Sequence, residues 1–375
     1  MLLLAPRRVG KTSIMKMMER DAGQHGFAAV YVDVSDSENE LRFVQKVWSG
    51  LLSDCPDVDA RDQLSGWLQN SWLTSLVRTF KKAGGCGFSI EIDAGKVSWQ
   101  QVGEEISALL GRLDTKCLIF IDELPVFVLK LLGDGSKAGA DRVHQFLYWI
   151  RTIRQKYPIR WMLAGSVGLD TVAARINVAD AINDLHIEKL DGFPSDIADE
   201  FLRALGASYN MTLSPDVRKR VLERVGSDRP IPYYLQLMFD QLRQIGREPA
   251  VEDVDAAVEN LLRPAHRNYF DYWRQRLFDE LGRADAEAAI LLLNRCCYEQ
   301  GGALRGTLLL SLAGAIADPD QRESKLSFLL DVLQNDGYLI ESGRERWCFY
   351  SPLLRAFWMK RVAPPPAAGT PEGER

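Results

Sequence analysis

An α/β fold with a parallel β-sheet is the fold class that the 375-residue sequence predicts. Short apolar runs alternate with longer stretches whose apolar residues recur at helical spacing, which is the pattern of strands joined by crossover helices. The first apolar run, "LLL", leads into "APRRVGKT", and a later run, "CLIFI", ends in two acidic residues. In a parallel sheet these polar segments lie at the carboxyl ends of strands, where ligands bind.

The first strand, residues 2–4, is followed by a segment with the composition of a phosphate-binding loop. Such a loop needs backbone N–H groups that converge on an anion and a helix N-terminus behind them. Gly10 lets the backbone approach closely, Lys11 reaches the β- and γ-phosphates, and the Thr12 hydroxyl ligates Mg²⁺. Ala5 stands where such loops usually carry their first glycine. The predicted nucleotide-binding residues of the loop are Ala5, Pro6, Arg7, Arg8, Val9, Gly10, Lys11, Thr12 and Ser13.

A chance Gly-Lys pair in a surface loop is the alternative interpretation of this segment. The context favours the phosphate loop, because "LLL" precedes it as a buried strand. The residues after it, "KTSIMKMMERDA", place Ile14, Met17 and Met18 at helical spacing. Strand, loop and helix is the order that phosphate binding requires.

The apolar strand at residues 117–121 ends in Asp122 and Glu123. Asp122 is the candidate Mg²⁺ ligand at the carboxyl end of this strand. Glu123 is the candidate base that orients and deprotonates an attacking water. Two acids after an apolar strand also serve as helix N-caps, which is the alternative interpretation of this pair.

Three further strands complete the predicted sheet, at residues 27–35, at the apolar run that begins with Ile159, and at residues 185–190. Residues 38–113 are expected to be mostly helical. Ser166 follows the fourth strand, where its hydroxyl would contact a γ-phosphate or the lytic water; a plain turn is the alternative. A strand between the loop and the acids favours attack by water over phosphate transfer to a small-molecule hydroxyl, so an ATPase is predicted.

Changes of composition along the chain predict five parts. Residues 1–192 form the ATPase core. Residues 193–262 contain four helices with good start signals, which is typical of a helical lid. A connecting helix covers residues 263–283, and residues 284–362 contain three helices and a β-hairpin, the elements of a winged helix. The Pro/Gly-rich tail, residues 363–375, is expected to be disordered.

The lid segment "GSDRPIPYY" carries a further candidate for the nucleotide site. Arg229 precedes two prolines, and Pro232 rigidifies the start of a helix. Arg229 would reach a γ-phosphate from the lid; a solvated arginine is its commoner role. Both residues are therefore included among the candidate nucleotide-binding residues.

The charges of the predicted winged helix are mixed. Its third helix carries Arg322 and Lys325 beside acidic residues, and Arg344 and Arg346 of the hairpin are offset by neighbouring glutamates. A protein that reads DNA normally has a clear basic face. Contact with a protein or intramolecular docking is therefore at least as consistent with this region as DNA binding.

The overall composition excludes several classes of protein. The net charge of −5 argues against a protein that mainly coats nucleic acid. The six cysteines contain no C-x-x-C pair, and the four histidines are scattered, so a zinc site, a disulfide framework and a histidine-based triad are not expected. No membrane segment is predicted, since the longest apolar run is interrupted by charges. We expect a cytoplasmic protein.

Five motifs resemble those of the archaeal-type P-loop ATPases, which are close to the AAA+ and STAND classes. They are "LLLAPRRVGKTSIM", "CLIFIDELP", "MLAGSVGL", "PYYLQLM" and "LQNDGYLIE…FYSPLLRAFWMKR". The resemblance covers nearly the whole chain. It implies a five-stranded AAA+/ASCE-like P-loop NTPase sheet of order 5-1-4-3-2, a helical lid and a C-terminal winged helix. It also implies roles for Lys11 and Thr12 in phosphate and Mg²⁺ binding, for Asp122 at the metal, for Glu123 as base, for Ser166 as sensor and for Pro232 in the lid motif.

Two departures from the family pattern affect these implications. The segment "GSDRPIP" stands where the family usually has a glycine pair before the lid proline, which weakens the expectation of lid closure over the nucleotide. Family members also begin well upstream of the phosphate loop with residues that help to hold the adenine. We expect a start upstream of Met1, or else a reduced affinity for the base.

Three functions follow as hypotheses. The first is a nucleotide-driven switch that uses ATP and Mg²⁺ and signals to a protein partner through the lid and the winged helix. The second is a DNA-associated ATPase of replication, transposition or defence. The third is a nucleotide-binding scaffold with negligible turnover. A nucleotide-dependent oligomer is a further hypothesis.

Overall fold

A computed structural model describes most of the chain, in which the sequence forms two compact units. The described residues are 1–69, 77–82, 88–92, 98–133, 135–165, 168–226, 228–299, 301–343 and 345–363. The first unit comprises Met1–Ala5 and Gly10–Leu190, and the second comprises Pro6–Val9 and Asp191–Arg375. The segment between Ala5 and Gly10 thus packs as part of the second unit, although the chain on either side of it belongs to the first.

The first unit alternates strands and helices. In chain order these elements are β1 (Leu2–Leu4), α1 (Lys11–Asp21), β2 (Phe27–Asp33), α2 (Glu40–Ser53), α3 (Val58–Gln69), β3 (Val77–Lys82), β4 (Phe88–Ile92), α4 (Trp99–Leu110), β5 (Lys116–Asp122), α5 (Leu124–Leu132), α6 (Lys137–Lys156), β6 (Ile159–Gly165), α7 (Leu169–Arg175) and β7 (Ile187–Lys189).

Five of these strands form one sheet in the order β2-β5-β6-β1-β7, and every pairing is parallel. Counted along the chain as five strands, this is the predicted order 5-1-4-3-2, and the prediction of a P-loop NTPase sheet is confirmed. Ile119, Phe120 and Ile121 of β5 are completely buried, as expected for a parallel sheet whose two faces are covered by helices. Because all strands run the same way, β1 and β5 end at the same edge of the sheet.

Residues 38–113 were expected to be mostly helical, and besides α2, α3 and α4 the structure has two strands there that were not predicted. β3 and β4 form a separate antiparallel pair in which Phe80 lies opposite Ile90 and Lys82 opposite Phe88. The glycine-rich segment between these two strands, "AGGCG", is the kind of sequence that joins hairpin strands, so the pattern was present in the sequence.

The second unit is largely helical. Its elements in chain order are α8 (Ser195–Ser208), α9 (Pro215–Val225), α10 (Pro232–Arg243), α11 (Val251–Leu261), α12 (Asp271–Tyr298), β8 (Ala303–Leu304), α13 (Arg305–Ser311), α14 (Pro319–Asn335), β9 (Leu339–Ser342), β10 (Arg346–Phe349) and α15 (Pro352–Arg361). The long helix α12 breaks at Gly282, which has a φ of 72°. The three strands form an antiparallel sheet in the order β8-β10-β9, one strand more than the predicted hairpin.

Aromatic side chains form the core of the second unit. The rings of Phe270 and Phe357 stack with centroids 4.7 Å apart, and Trp273 meets Tyr338 edge to face at 4.6 Å. The buried Tyr338 hydroxyl donates to the Trp273 carbonyl oxygen at 2.6 Å, which satisfies its polar group inside the core. Among the described residues, no helix combines the length and the apolar character that crossing a membrane requires. Residues 364–375, most of the predicted tail, lie outside the described part of the chain.

Candidate active site

The loop after β1 passes twice through the left-handed region of backbone conformation. Arg8 has a φ of 64° and Gly10 a φ of 103°. A Cβ at residue 10 would meet nothing within 4 Å, so glycine is favoured there by the backbone conformation and not by lack of space. Gly10 is the N-cap of α1 and has no side chain to cap the first turn, which leaves that turn suited to an external anion. Positive φ values of this kind are typical of the concave N–H arrangements that bind phosphate.

The side-chain amine of Lys11, the first residue of α1, forms ion pairs with two carboxylates. Its Nζ lies 3.0 Å from Asp122 Oδ1 and 3.1 Å from Glu123 Oε1. The Lys11 side chain is 8% exposed, that of Asp122 2% and that of Glu123 20%. We call these three residues the lysine cluster. The sequence predicted that the loop and the end of β5 would lie at one edge of the sheet, and in the structure their side chains are in contact.

Asp122 is held by several donors besides Lys11. Its Oδ2 accepts hydrogen bonds from Thr12 Oγ1 at 2.8 Å and from the Tyr31 hydroxyl at 2.9 Å, and its Oδ1 accepts from the Glu123 N–H at 2.9 Å. Burial raises the pKa of Asp122, but the charge of Lys11 and the hydrogen bonds outweigh it and lower the pKa below its ordinary value. Asp122 is therefore an ionised carboxylate in a site closed to most of the solvent.

Sequence reasoning missed Tyr31. This residue lies on β2, the strand that pairs in parallel with β5, two residues before Asp33, which is in register with Asp122. Burial and then the Asp122 charge raise the pKa of Tyr31, so that its hydroxyl keeps its proton and donates. A tyrosine inside the otherwise apolar run "FAAVYV" was the available signal, since a buried hydroxyl needs a partner.

Glu123 stands at the N-cap of α5 in a left-handed conformation, with a φ of 57°. Its side chain makes no capping hydrogen bond with the first turn of α5 in the described residues, so the pair of acids is not a side-chain N-cap.

The end of β6 lies against the first turn of α5. Pro125 is in that turn, and a Cβ at Gly165, the last residue of β6, would lie 2.2 Å from the Pro125 ring. The end of β6 therefore needs glycine. Ser166, the next residue and a candidate sensor, lies outside the described residues.

The other candidate residues belong to the second unit. Pro232 is the first residue of α10 and is buried. Arg229 is exposed, and its Nη1 lies 4.0 Å from Asp191 Oδ2. Its own backbone carbonyl approaches Gly192, where a Cβ would lie 2.2 Å from that oxygen. Arg7 directs its side chain to carboxylates of the second unit.

The donor set of the first unit fits ATP with Mg²⁺. Magnesium binds through one or two carboxylates together with substrate phosphates and water, and Thr12 and Asp122 offer a hydroxyl and a carboxylate that are hydrogen-bonded to each other. Within the described ranges, no cluster of three or more His, Cys, Asp or Glu residues forms a metal cage made by protein alone.

Comparison with known proteins identifies the fold. No protein-family model and no curated protein matches the sequence. The structure is similar to the Walker-type ATPase PABY2304 of Pyrococcus abyssi, with a TM-score of 0.59 and 16% identity over 95% of this chain and 89% of that chain. It also aligns with the ORC1 protein of Aeropyrum pernix, solved in complex with DNA, at a TM-score of 0.40 and 15% identity over 95% and 85% of the two chains. A third alignment is with RuvB of Thermotoga maritima, a Holliday junction branch migration motor, at a TM-score of 0.38 and 14% identity over 93% and 83%.

The similarity to PABY2304 shows that this chain has the fold of a Walker-type P-loop ATPase. The fold part of the resemblance to archaeal-type ATPases is thereby confirmed.

Proposed function

We propose that the chain is a Mg²⁺-dependent ATPase whose nucleotide state is passed to a protein partner through its C-terminal region. The observation that carries this proposal is the contact between the loop lysine and the acids that end β5, in which Lys11 Nζ lies within 3.1 Å of both carboxylates. A loop lysine, a neighbouring hydroxyl and two acids at one sheet edge are the side chains that ATP hydrolysis uses in proteins of this fold.

Lys11 and the first turn of α1 would bind the β- and γ-phosphates. The lysine amine would exchange its carboxylate partners for phosphate oxygens, and the N–H groups that follow Gly10 would add hydrogen bonds and the positive end of the helix dipole. Residues Ala5 to Ser13 would thus act mainly through their backbone, with Lys11 as the charged side chain.

Thr12 and Asp122 would hold the magnesium ion, which supplies neutralisation of the charge that develops on the phosphates. Tyr31 would keep the Asp122 carboxylate oriented, since it donates to the same oxygen that accepts from Thr12. The lowered pKa of Asp122 suits this role because an ionised carboxylate is needed.

Glu123 would orient a water molecule and accept its proton as the water oxygen attacks the γ-phosphorus. The bond between that phosphorus and the β–γ bridging oxygen then breaks, and ADP and phosphate leave. Ser166 as a sensor, and Arg229 and Pro232 as lid residues of the nucleotide site, remain part of this proposal.

Residues 284–362, from the second half of α12 to α15, have the order of helices and strands of a winged helix, and we propose that they form one. The described basic groups of α14 are used within the unit: Lys325 bonds Asp285, and Arg322 donates to the carbonyl oxygens of Ile316 and Ala317. This favours a protein partner over duplex DNA, whose phosphates need available basic side chains. A nucleotide-dependent oligomer and a cytoplasmic location stay predictions from the sequence.

Thermal unfolding with and without Mg-ATP tests nucleotide binding. Ligand at a hundred times its dissociation constant stabilises the native state by about 2.7 kcal/mol. For a unit of this size that is a shift of roughly 5–10 °C. We expect the shift in the wild type and in Glu123→Gln, and its loss in Lys11→Ala. No shift in the wild type would contradict the proposal.

Phosphate release separates an ATPase from a scaffold. We expect steady release by the wild type and a large loss in Glu123→Gln, which still binds. Equal and negligible release by both proteins would favour the nucleotide-binding scaffold. Salt-sensitive binding of duplex DNA at low salt, lost on changing Arg346, would favour the DNA-associated ATPase instead; Arg344, its companion in the hairpin, lies outside the described residues.

A further inference from the structure

Arg7 of the loop makes a set of contacts that phosphate binding does not explain. Its Nε donates to Asp336 Oδ1 at 2.9 Å, its Nη2 to Glu280 Oε1 at 3.2 Å and its Nη1 to the Tyr272 hydroxyl at 3.0 Å. The Arg7 backbone N–H also donates to the Asp336 carbonyl oxygen at 3.3 Å. Its side chain is 10% exposed, so the guanidinium is nearly removed from solvent.

These partners form a second, closed group of charges. Arg276 pairs with Glu280 through one guanidinium nitrogen and lies 3.6 Å from Asp336 through its Nε. The side chains of Arg276, Glu280 and Asp336 are 8%, 5% and 2% exposed. We call Arg7, Arg276, Glu280 and Asp336 the arginine cluster. It contains two arginines and two carboxylates, and the loss of one member would break a buried ion pair.

The residues on either side of Arg7 are held in the same unit. A Cβ at Gly337 would lie 2.9 Å from the Cβ of Pro6, and Gly337 has a φ of 83°, so the turn after α14 needs glycine both for its conformation and for this approach. The Arg8 guanidinium lies 3.9 Å from the centre of the Tyr233 ring. Three consecutive loop residues therefore each have a fixed neighbour in the second unit.

These contacts fall beside the strained part of the loop. A left-handed conformation is unfavourable for a residue other than glycine, and Arg8 adopts it. Such a conformation persists only where the surrounding structure determines it. The ion pairs of Arg7 and the stacking of the Arg8 guanidinium on Tyr233 hold Arg8 in this conformation. The orientation of the N–H groups that follow depends on the conformation of Arg8.

We propose that Arg7 is a positioning residue: its ion pairs with Asp336 and Glu280 hold the loop in its anion-binding conformation, and they couple the loop to the turn between α14 and β9. The coupling to nucleotide rests on the proposed function. Coupling between two sites is reciprocal, so a change at the Asp336 turn alters affinity at the loop, and a bound nucleotide alters the stability of that turn. The sequence predicted Arg7 as a nucleotide-binding residue, and direct phosphate contact is the competing outcome.

Hydrogen exchange at the loop tests the positioning without any ligand. In the full chain without nucleotide, we expect Asp336→Asn and Arg7→Ala to accelerate exchange of the amides of residues 8–13 by at least about tenfold. The matched control is Arg218→Ala. Arg218 also has a nearly buried guanidinium in the second unit, 13% exposed and 2.6 Å from Asp199 Oδ1, but its partner is not in the loop. Unchanged exchange in Asp336→Asn, or equal acceleration in Arg218→Ala, would overturn the proposal.

Affinity for a fluorescent ATP analogue with Mg²⁺, measured well below the unfolding temperature, tests the coupling. We expect Arg7→Ala and Asp336→Asn each to raise Kd by about tenfold, the double variant to raise it no further, and Arg218→Ala to leave it unchanged. If Arg7 bound phosphate directly, Arg7→Ala would raise Kd while Asp336→Asn left it unchanged, and the coupling would be refuted. If the wild type bound no nucleotide although exchange responded as expected, the proposed function would fail and the positioning of the loop by Arg7 would stand.

Discussion

The lysine cluster and the arginine cluster both join a residue of the loop to buried carboxylates, but they balance charge differently. In the lysine cluster one cation faces two carboxylates, and Glu123 is partly open to solvent. In the arginine cluster two cations face two carboxylates, and every member is at most 10% exposed. A carboxylate that is partly open to solvent suits a cluster that accepts a ligand, whereas ion pairs that are almost fully buried suit a structural contact. The lysine cluster therefore suits ligand binding, and the arginine cluster suits a structural role that fixes the position of the loop.

The same chemical change should have very different effects in the two clusters. Glu280→Gln leaves two buried arginines facing one carboxylate, and we expect it to lower the free energy of unfolding by about 3–5 kcal/mol. Glu123→Gln leaves Lys11 paired with Asp122 at a site that is partly solvated, and we expect a change below about 1 kcal/mol. Guanidinium unfolding followed by tryptophan fluorescence measures both. Similar losses in the two variants would show that the clusters do not differ as proposed.

The lysine cluster should also make the free energy of unfolding depend on pH. The pKa of Asp122 is lowered in the folded protein, so its contribution to stability is present above the unfolded value, near pH 4, and is lost as the pH falls through the folded pKa. In Lys11→Met, burial acts on Asp122 without the opposing charge. We expect Lys11→Met to lower the free energy of unfolding by about 1.5–3 kcal/mol at pH 7 and by progressively less from about pH 5 to pH 3.

The difference in the free energy of unfolding between the wild type and each variant at the same pH removes the contributions of other carboxylates. Lys137→Met, which changes an exposed lysine at the start of α6, is the control and should show a small difference at every pH. A loss in Lys11→Met that is constant between pH 7 and pH 3 would mean that Lys11 does not act through Asp122.

Most of the first unit was predictable because its determinants are local. Apolar runs of strand length, a glycine-containing loop before a helix and acids after a strand are each readable within about ten residues. The strand order followed from the resemblance to a known fold, and the parallel pairing placed Lys11 and Asp122 at one edge. The β3–β4 pair was missed, although its glycine-rich connection could have indicated it.

The arginine cluster was not predictable by the same reasoning. Arg7 and Asp336 are 329 residues apart, and nothing local distinguishes Asp336 from other acids near helix ends. Tyr31 shows a milder form of the difficulty, because a tyrosine in a strand indicates that its hydroxyl needs a partner but not which one. Local patterns predict elements and single sites, whereas long-range charge pairing depends on how those elements pack.

The smallest expected change in stability comes from the backbone conformation of Glu123, the proposed base. Glu123 has a φ of 57°, a conformation that glycine adopts without cost and that costs another residue about 1–2 kcal/mol. Both Glu123→Gly and Glu123→Ala remove the carboxylate, so the difference between them isolates this strain, and we expect Glu123→Gly to be the more stable by about 1 kcal/mol in guanidinium unfolding. At Gln145, an exposed position inside α6, the order should reverse, with glycine less stable than alanine by about 1 kcal/mol. If alanine were also the more stable residue at position 123, the left-handed turn would store no strain. Strain that persists at Glu123 would show that the end of β5 is backbone that the surrounding packing must hold in position.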